Sequence, residues 1–153
     1  MKRKALAACM AAALLLTGCA PRRITDEDIA GTRNSWVAVG SVYSSHDGLL
    51  EGSMHSFSGV ITLWTYDAPK DGEVEVTYKL SVENDKAMLV FVTGEGEFIT
   101  ILDNDGSYRQ NSPDTMTLPV TPGKNRIRLV GSGHAKLEYL LSVDQGEVHY
   151  PDS

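Results

Sequence analysis

Cysteine is scarce: the 153 residues hold two, Cys9 and Cys19. That number excludes the disulfide-dense scaffolds and multi-cysteine metal sites of small secreted proteins. Long apolar runs are missing too. The longest, residues 5–16, is 12 residues of Ala, Leu, Cys and Met, whereas a helix crossing a hydrocarbon core needs about 20. Basic residues are in the minority, 14 against 20 acidic, which argues against nucleic acid and anionic lipid surfaces as partners. There is no helical period of useful length, no internal repeat and no low-complexity tract. What remains is an ordinary globular composition, 42% hydrophobic and 22% charged, fitting one domain at this length.

The N-terminus reads as an address. Lys2-Arg3-Lys4 followed by the short apolar run has the layout of a secretory signal. The run ends in Leu16-Thr17-Gly18-Cys19, which closely resembles the lipobox of bacterial lipoproteins, cut just before the cysteine. The resemblance implies that residues 1–18 are removed and that Cys19 carries a diacylglyceryl group, commonly with an acylated amino terminus. Two or three chains at about 0.8 kcal/mol per buried methylene make a durable anchor. Without the leader, 11 basic residues face 20 acidic ones, a net charge of −9, and the lipidated Cys19 is the only cysteine left. A domain without a free thiol has no disulfide, no thiolate nucleophile and no cysteine metal site, so a core of ordinary size must hold it together. In diderm members of this family an Asp after the cysteine signals inner-membrane retention; here the residue is Ala20. The expected location is therefore extracytoplasmic and lipid-anchored: the outer membrane in a diderm host, the outer face of the cell membrane in a monoderm one.

Residues 19–34 are polar, lack an apolar period and read as the lipidated cysteine plus a tether; Thr25-Asp26-Glu27-Asp28 has a capping box only in outline, since Asp28 stands where Glu or Gln is usual, and no helix is expected there. From residue 35 to 153 the pattern has a period of two. Val74, Val76, Tyr78, Leu80 and Val82 share one face of a strand, and Glu73, Glu75, Thr77, Lys79 and Ser81 the other. Asn84-Asp85-Lys86 reads as the turn of a hairpin leading into an apolar strand at 87–93. Further strands are expected at 36–43, 60–66, 98–102, 115–120, 126–130 and 135–143, with residues 40–59 as the longest irregular segment. Eight strands separated by Gly, Pro, Asn and Asp clusters predict an all-β fold, an antiparallel β-sandwich or closely related barrel.

The stretch Leu118-Pro-Val-Thr-Pro-Gly-Lys-Asn-Arg-Ile-Arg-Leu-Val-Gly131, with the strand 135–143 after it, resembles the closing hairpin of galactose-binding-like jelly rolls, which include many carbohydrate-binding modules. The resemblance implies that Pro122-Gly123 turns the chain while Ile127 and Leu129 enter the core. In several such modules the final strand opens with an Asn that binds sugar, followed two residues later by Asp; here Lys136 and Glu138 stand there. No sugar-binding residue carries over.

Few residues suggest chemistry. Asp103-Asn104-Asp105-Gly106 begins like a calcium loop, with Asp103 and Asp105 as oxygen donors, but the twelfth position is Asp114 rather than Glu and flanking helices are absent; a Gly-containing β-turn is the competing reading, and no metal or other cofactor is expected. Ser45-His46-Asp47 holds the residue types of a hydrolytic triad, yet three consecutive residues cannot normally form that relay. His55, His134 and His149 are scattered, so an enzyme is not expected. Trp36, Trp64 and Tyr66 would stack on sugar rings if exposed, with core packing as the alternative. The sequence therefore predicts a membrane-anchored, non-catalytic binding module for a glycan or cell-envelope polymer. The alternative is a protein-interaction or assembly module of the envelope.

Overall fold

The computed structural model describes residues 23–151, so the expected leader and the expected lipidation at Cys19 lie outside the described residues. A short helix, α1 (Asp26–Ala30), precedes eight strands: β1 (Ser35–Val39), β2 (Val42–His46), β3 (Leu49–Ala68), β4 (Gly72–Val92), β5 (Phe98–Asn104), β6 (Asp114–Val120), β7 (Gly123–Val143) and β8 (Glu147–Val148). All pairings are antiparallel, and the long strands run in the order β3-β7-β4.

These three strands serve both layers of the sandwich. In one layer, residues 49–54 of β3 pair with 137–142 of β7, and 76–82 of β4 with 137–143, flanked by β2 and β6. In the other, residues 57–68 of β3 pair with 123–135 of β7, and 86–92 of β4 with 126–132, flanked by β1 and β5. Register shifts at Met54/Phe57, Phe57/Gly59, Val82/Asn84 and Asn84/Lys86 mark the bends. The inner faces meet in one core that includes Leu50, Met54, Leu80 and Leu141 from the first layer and Ile61, Trp64, Phe91 and Leu129 from the second.

The β-sandwich expected from the sequence is present, with three corrections. Segments 73–83 and 87–93 are not a hairpin but one strand. Asn84 and Asp85 form its bulge, with Asn84 Nδ2 donating to the His134 carbonyl and Asp85 accepting from the His134 N–H. Segments 126–130 and 135–143 are likewise one strand, β7, and β6 pairs with β4 rather than with β7, so the resemblance to a closing hairpin does not hold as drawn. The Pro-Gly-x-Asn motif still has a physical role. Asn125, wholly buried, donates to the carbonyls of Tyr66, Thr121 and Gly123 and accepts from the N–H groups of Gly94 and Thr121. Lastly, 40–59 is not a loop. It forms the β2-β3 hairpin, turned by Asp47 and Gly48 with φ of 50° and 77°, the paired left-handed conformation of a tight two-residue turn.

The stretch expected as a tether is docked from residue 24 onward. The capping box forms: Thr25 Oγ1 accepts from the Asp28 N–H, and Asp28 accepts from the Thr25 N–H. Ile29 packs with Val60, Val90, Val92 and Val130 on the outer face of the second layer, with Ile24 alongside. Arg128, wholly buried in the same place, donates to the carbonyls of Asp28, Ile29, Gly31 and Arg33 at 2.5–2.8 Å. Arg126 donates to the Ala30 carbonyl at 2.8 Å. Burial, and secondarily the neighbouring Arg126, pushes the Arg128 guanidinium down to about 10, so it stays charged at neutral pH, in charge-assisted bonds that close the C-terminal end of the helix.

Two stability outcomes follow. Arg128→Met leaves four carbonyls, one of them buried and three partly buried, without their charged donor and is expected to cost about 3 kcal/mol, read as a lower denaturant midpoint. Gly59 has φ +121°, and a Cβ there would lie 2.1 Å from the Ser35 carbonyl oxygen. Gly59→Ala is therefore expected to cost about 2–4 kcal/mol, detached β1 being visible as faster hydrogen exchange at 35–39.

Candidate functional site: a polar groove across four strands

Register decides which side chains share the outer face of the first layer. One row across the sheet is Val42, Ser53, Glu138 and Ser81; the next is Ser44, Glu51, Leu140 and Lys79. The groove they line has two depressions. One, of about 300 Å³, is bordered by Val42, Ser44, Glu51, Lys79 and Leu140; the other, of about 230 Å³, by His55, Ser81, Glu83, Arg109 and Lys136. Ser53 and Glu138 border both.

The second depression is built around one carboxylate. Glu83 takes Arg109 at 2.6 Å and Lys136 at 2.7 Å. The Lys136 hydrogen bond, with help from Arg109, holds its carboxyl below the usual range. Because all three side chains are substantially exposed, the network positions groups more than it stabilises the fold. Arg109 arrives on the segment joining β5 to β6. That segment is held by two buried amides where β4 has no strand partner between its β6 and β5 pairings. Gln110 accepts from the Leu80 N–H and donates to the Tyr78 carbonyl, and Asn104 donates to the Leu80 carbonyl. In the first depression Glu51, Glu138 and Lys79 make no ion pair or side-chain hydrogen bond among the described residues, so their charges are available to a ligand.

The residues singled out in the sequence lie elsewhere. Trp64 is wholly buried and donates its Nε1 hydrogen to the Gln145 carbonyl at 2.7 Å. Trp36 is half-buried, 6.5 Å from Phe57, and Tyr66 leans on Trp64 at 6.1 Å. These three rings serve the core, the second of the two roles weighed for them, and form no exposed platform. Asp103 pairs with Lys86 at 2.9 Å, whereas Asp105 accepts from the Ser107 N–H and hydroxyl, which lower its pKa. The two carboxylates thus serve different partners around a β-turn, and among the described residues no group of three His, Cys, Asp or Glu could hold a metal. His46 and Asp47 meet at 3.0 Å on the exposed hairpin tip. Ser56 approaches His134 Nδ1 at 3.1 Å, but the nearby Asp85 bonds the His134 main chain and not its ring. No triad is assembled among the described residues.

No protein-family model matches the chain, and no curated protein matches it either. Solved structures that the chain resembles at low identity do exist. One is a carbohydrate-binding module from Cellvibrio mixtus lichenase 5A in complex with cellotriose, 10% identical, with a TM-score of 0.42 over 78% of this chain and 95% of that one. Another is a family 29 carbohydrate-binding module mutant complexed with mannohexaose, at 13% identity and a TM-score of 0.39 over 73% and 93%. A third belongs to the disulfide-linked pili of Bacillus endospore appendages, at 10% and 0.41 over 73% and 88%. Nothing about a ligand follows from likeness at these scores.

At the edge of the groove Tyr43 and Tyr150 pair their rings at 5.1 Å, both partly exposed. Beside them Tyr139 lies across Gly52 with its hydroxyl buried and without a partner. Burial, and secondarily Tyr43, pushes this phenol up to about 12. A raised acid pKa means stability that is full below the unfolded value near 10 and lost as pH climbs through 12. Tyr139→Phe removes the orphan hydroxyl and is expected to raise the melting temperature at pH 7. It should also flatten the decline between pH 10 and 12; a lower melting temperature at pH 7 would show that the hydroxyl has a partner.

Proposed function

We propose that this chain is a non-catalytic binding module, anchored outside the cytoplasm through lipid on Cys19, whose groove takes an extended polyhydroxylated polymer such as a glycan of the cell envelope. The observation that carries the reading is the continuity of the groove: two depressions joined at Ser53 and Glu138 cross four strands of a rigid layer. Its lining mixes Ser hydroxyls with three carboxylates, Glu51, Glu83 and Glu138, and three cations, Lys79, Arg109 and Lys136. Such a surface offers donors and acceptors to many hydroxyls along a chain and has no deep apolar pocket for a compact ligand. Lys136 and Glu138, which the sequence offers in place of a sugar-binding Asn and Asp, both face this groove.

A second reading, a protein-interaction module, draws on the β1-β2 edge. Val37, Val39 and Val42 are each about two-thirds exposed or more, and β1 ends its sheet without a further neighbour.

Calorimetric titration of the chain from residue 19 onward, with Cys19→Ser, against soluble envelope polysaccharides separates the two. The glycan reading expects saturable binding that Glu138→Ala weakens about tenfold, equivalent to about 1.4 kcal/mol, without change in melting temperature. Ser53→Trp, which fills the junction, should abolish it. No binding by any saccharide, together with envelope-protein capture lost in Val37→Lys/Val39→Lys, would transfer the assignment to the valine edge.

A further inference from the structure

The docking of α1 determines which side of the domain meets the membrane. On the lipid-anchor reading above, the orientation of the domain is set by the chain length between Cys19 and the helix N-cap. Thr25, the helix N-cap, is fixed to the outer face of the second layer through α1, and it lies six positions after Cys19. Fully extended, six residues span no more than about 20 Å. A tether reaching to residue 34 would have let the domain tumble; this one is too short for the domain to turn over.

We infer that the α1-covered face of the sandwich sits against the headgroup layer of the bilayer and that the polar groove, on the outer face of the opposite layer, points away from it. The two outer faces are separated by both sheets, whose backbones pack about 10 Å apart. The groove is therefore held clear of the bilayer that carries it, open to a polymer outside that membrane leaflet. Arg128 and Arg126 are what make the orientation firm, because their bonds to the carbonyls of Asp28, Ile29, Ala30, Gly31 and Arg33 prevent the chain from peeling away and lengthening the reach.

The test uses the lipidated protein in phosphatidylcholine vesicles containing spin-labelled headgroups. With Cys19 blocked by lipid, a single new thiol can be labelled with a fluorophore: Glu27→Cys on the exposed side of α1, or Glu75→Cys on the outer face of the first layer. Quenching is expected to be several-fold stronger at position 27 than at 75. Inserting about 20 Gly and Ser residues after Ala20, adding roughly 25 Å of root-mean-square reach, should erase the difference. Equal or reversed quenching overturns the orientation, and so does a difference that survives the insertion. Vesicle flotation of the parent protein is read first: failure to float shows instead that the anchor itself is absent, and the proposal falls with it.

Discussion

The fold depends on three strands being shared by both layers. A sandwich of separate sheets can adjust one sheet without disturbing the other, but here β3, β7 and β4 each cross between layers, so their bends have to coincide. The register shifts near Phe57 on β3 and Asn84 on β4 lie against residues 131–136 of β7, where Gly131 and Gly133 allow close approach of Phe57 and Asp85. Core residues change from even to odd numbering across these bulges, Leu50 and Met54 giving way to Phe57 and Ile61, and Leu80 and Val82 to Ala87 and Leu89. One extra residue at each bend keeps the apolar side facing inward as the sheet folds over.

The outer faces of the two layers have opposite characters as a result. Beyond the bends the outward positions of β4 and β7 become Val90, Val92, Arg126, Arg128 and Val130, an apolar surface that would face water if left uncovered and that, once covered, buries two cations in need of acceptors. The N-terminal segment supplies both the cover and the carbonyl groups. Before the bends most outward positions are Ser, Glu, Lys and Thr, which water satisfies without help, with Val42 and Leu140 as apolar exceptions, and there the groove lies open.

How much of this was legible in the sequence follows from which signals are local. Alternation from Glu73 to Ser81 is a local signal and gave the right strand with the right face inward. Asn84-Asp85-Lys86 looks like a hairpin turn because turn-formers are the same at a turn and at a bulge; only the partner strand distinguishes them. The β2-β3 hairpin carried a usable signal in Asp47-Gly48, masked by the polar residues around it, which face solvent on both sides of a sheet edge. Arg128 between Ile127 and Leu129 looks like an outward, solvated residue, and nothing local says that a segment about 100 positions away will cover it. The groove was the least legible feature. Ser53, Glu138 and Ser81 are neighbours only through register, and Arg109 only through the anchoring of its loop by Gln110.

That anchoring has a further consequence. Around Leu80, β4 has strand partners on one side only, leaving an N–H and a carbonyl directed at nothing in the ladder. Exposed main-chain groups of this kind invite pairing with strands of other molecules. By lending amide side chains to Leu80, Gln110 and Asn104 occupy the place a foreign strand would take. The segment that brings Arg109 to the groove thus also protects the sheet from self-association, a hazard that grows when many copies are concentrated on one surface.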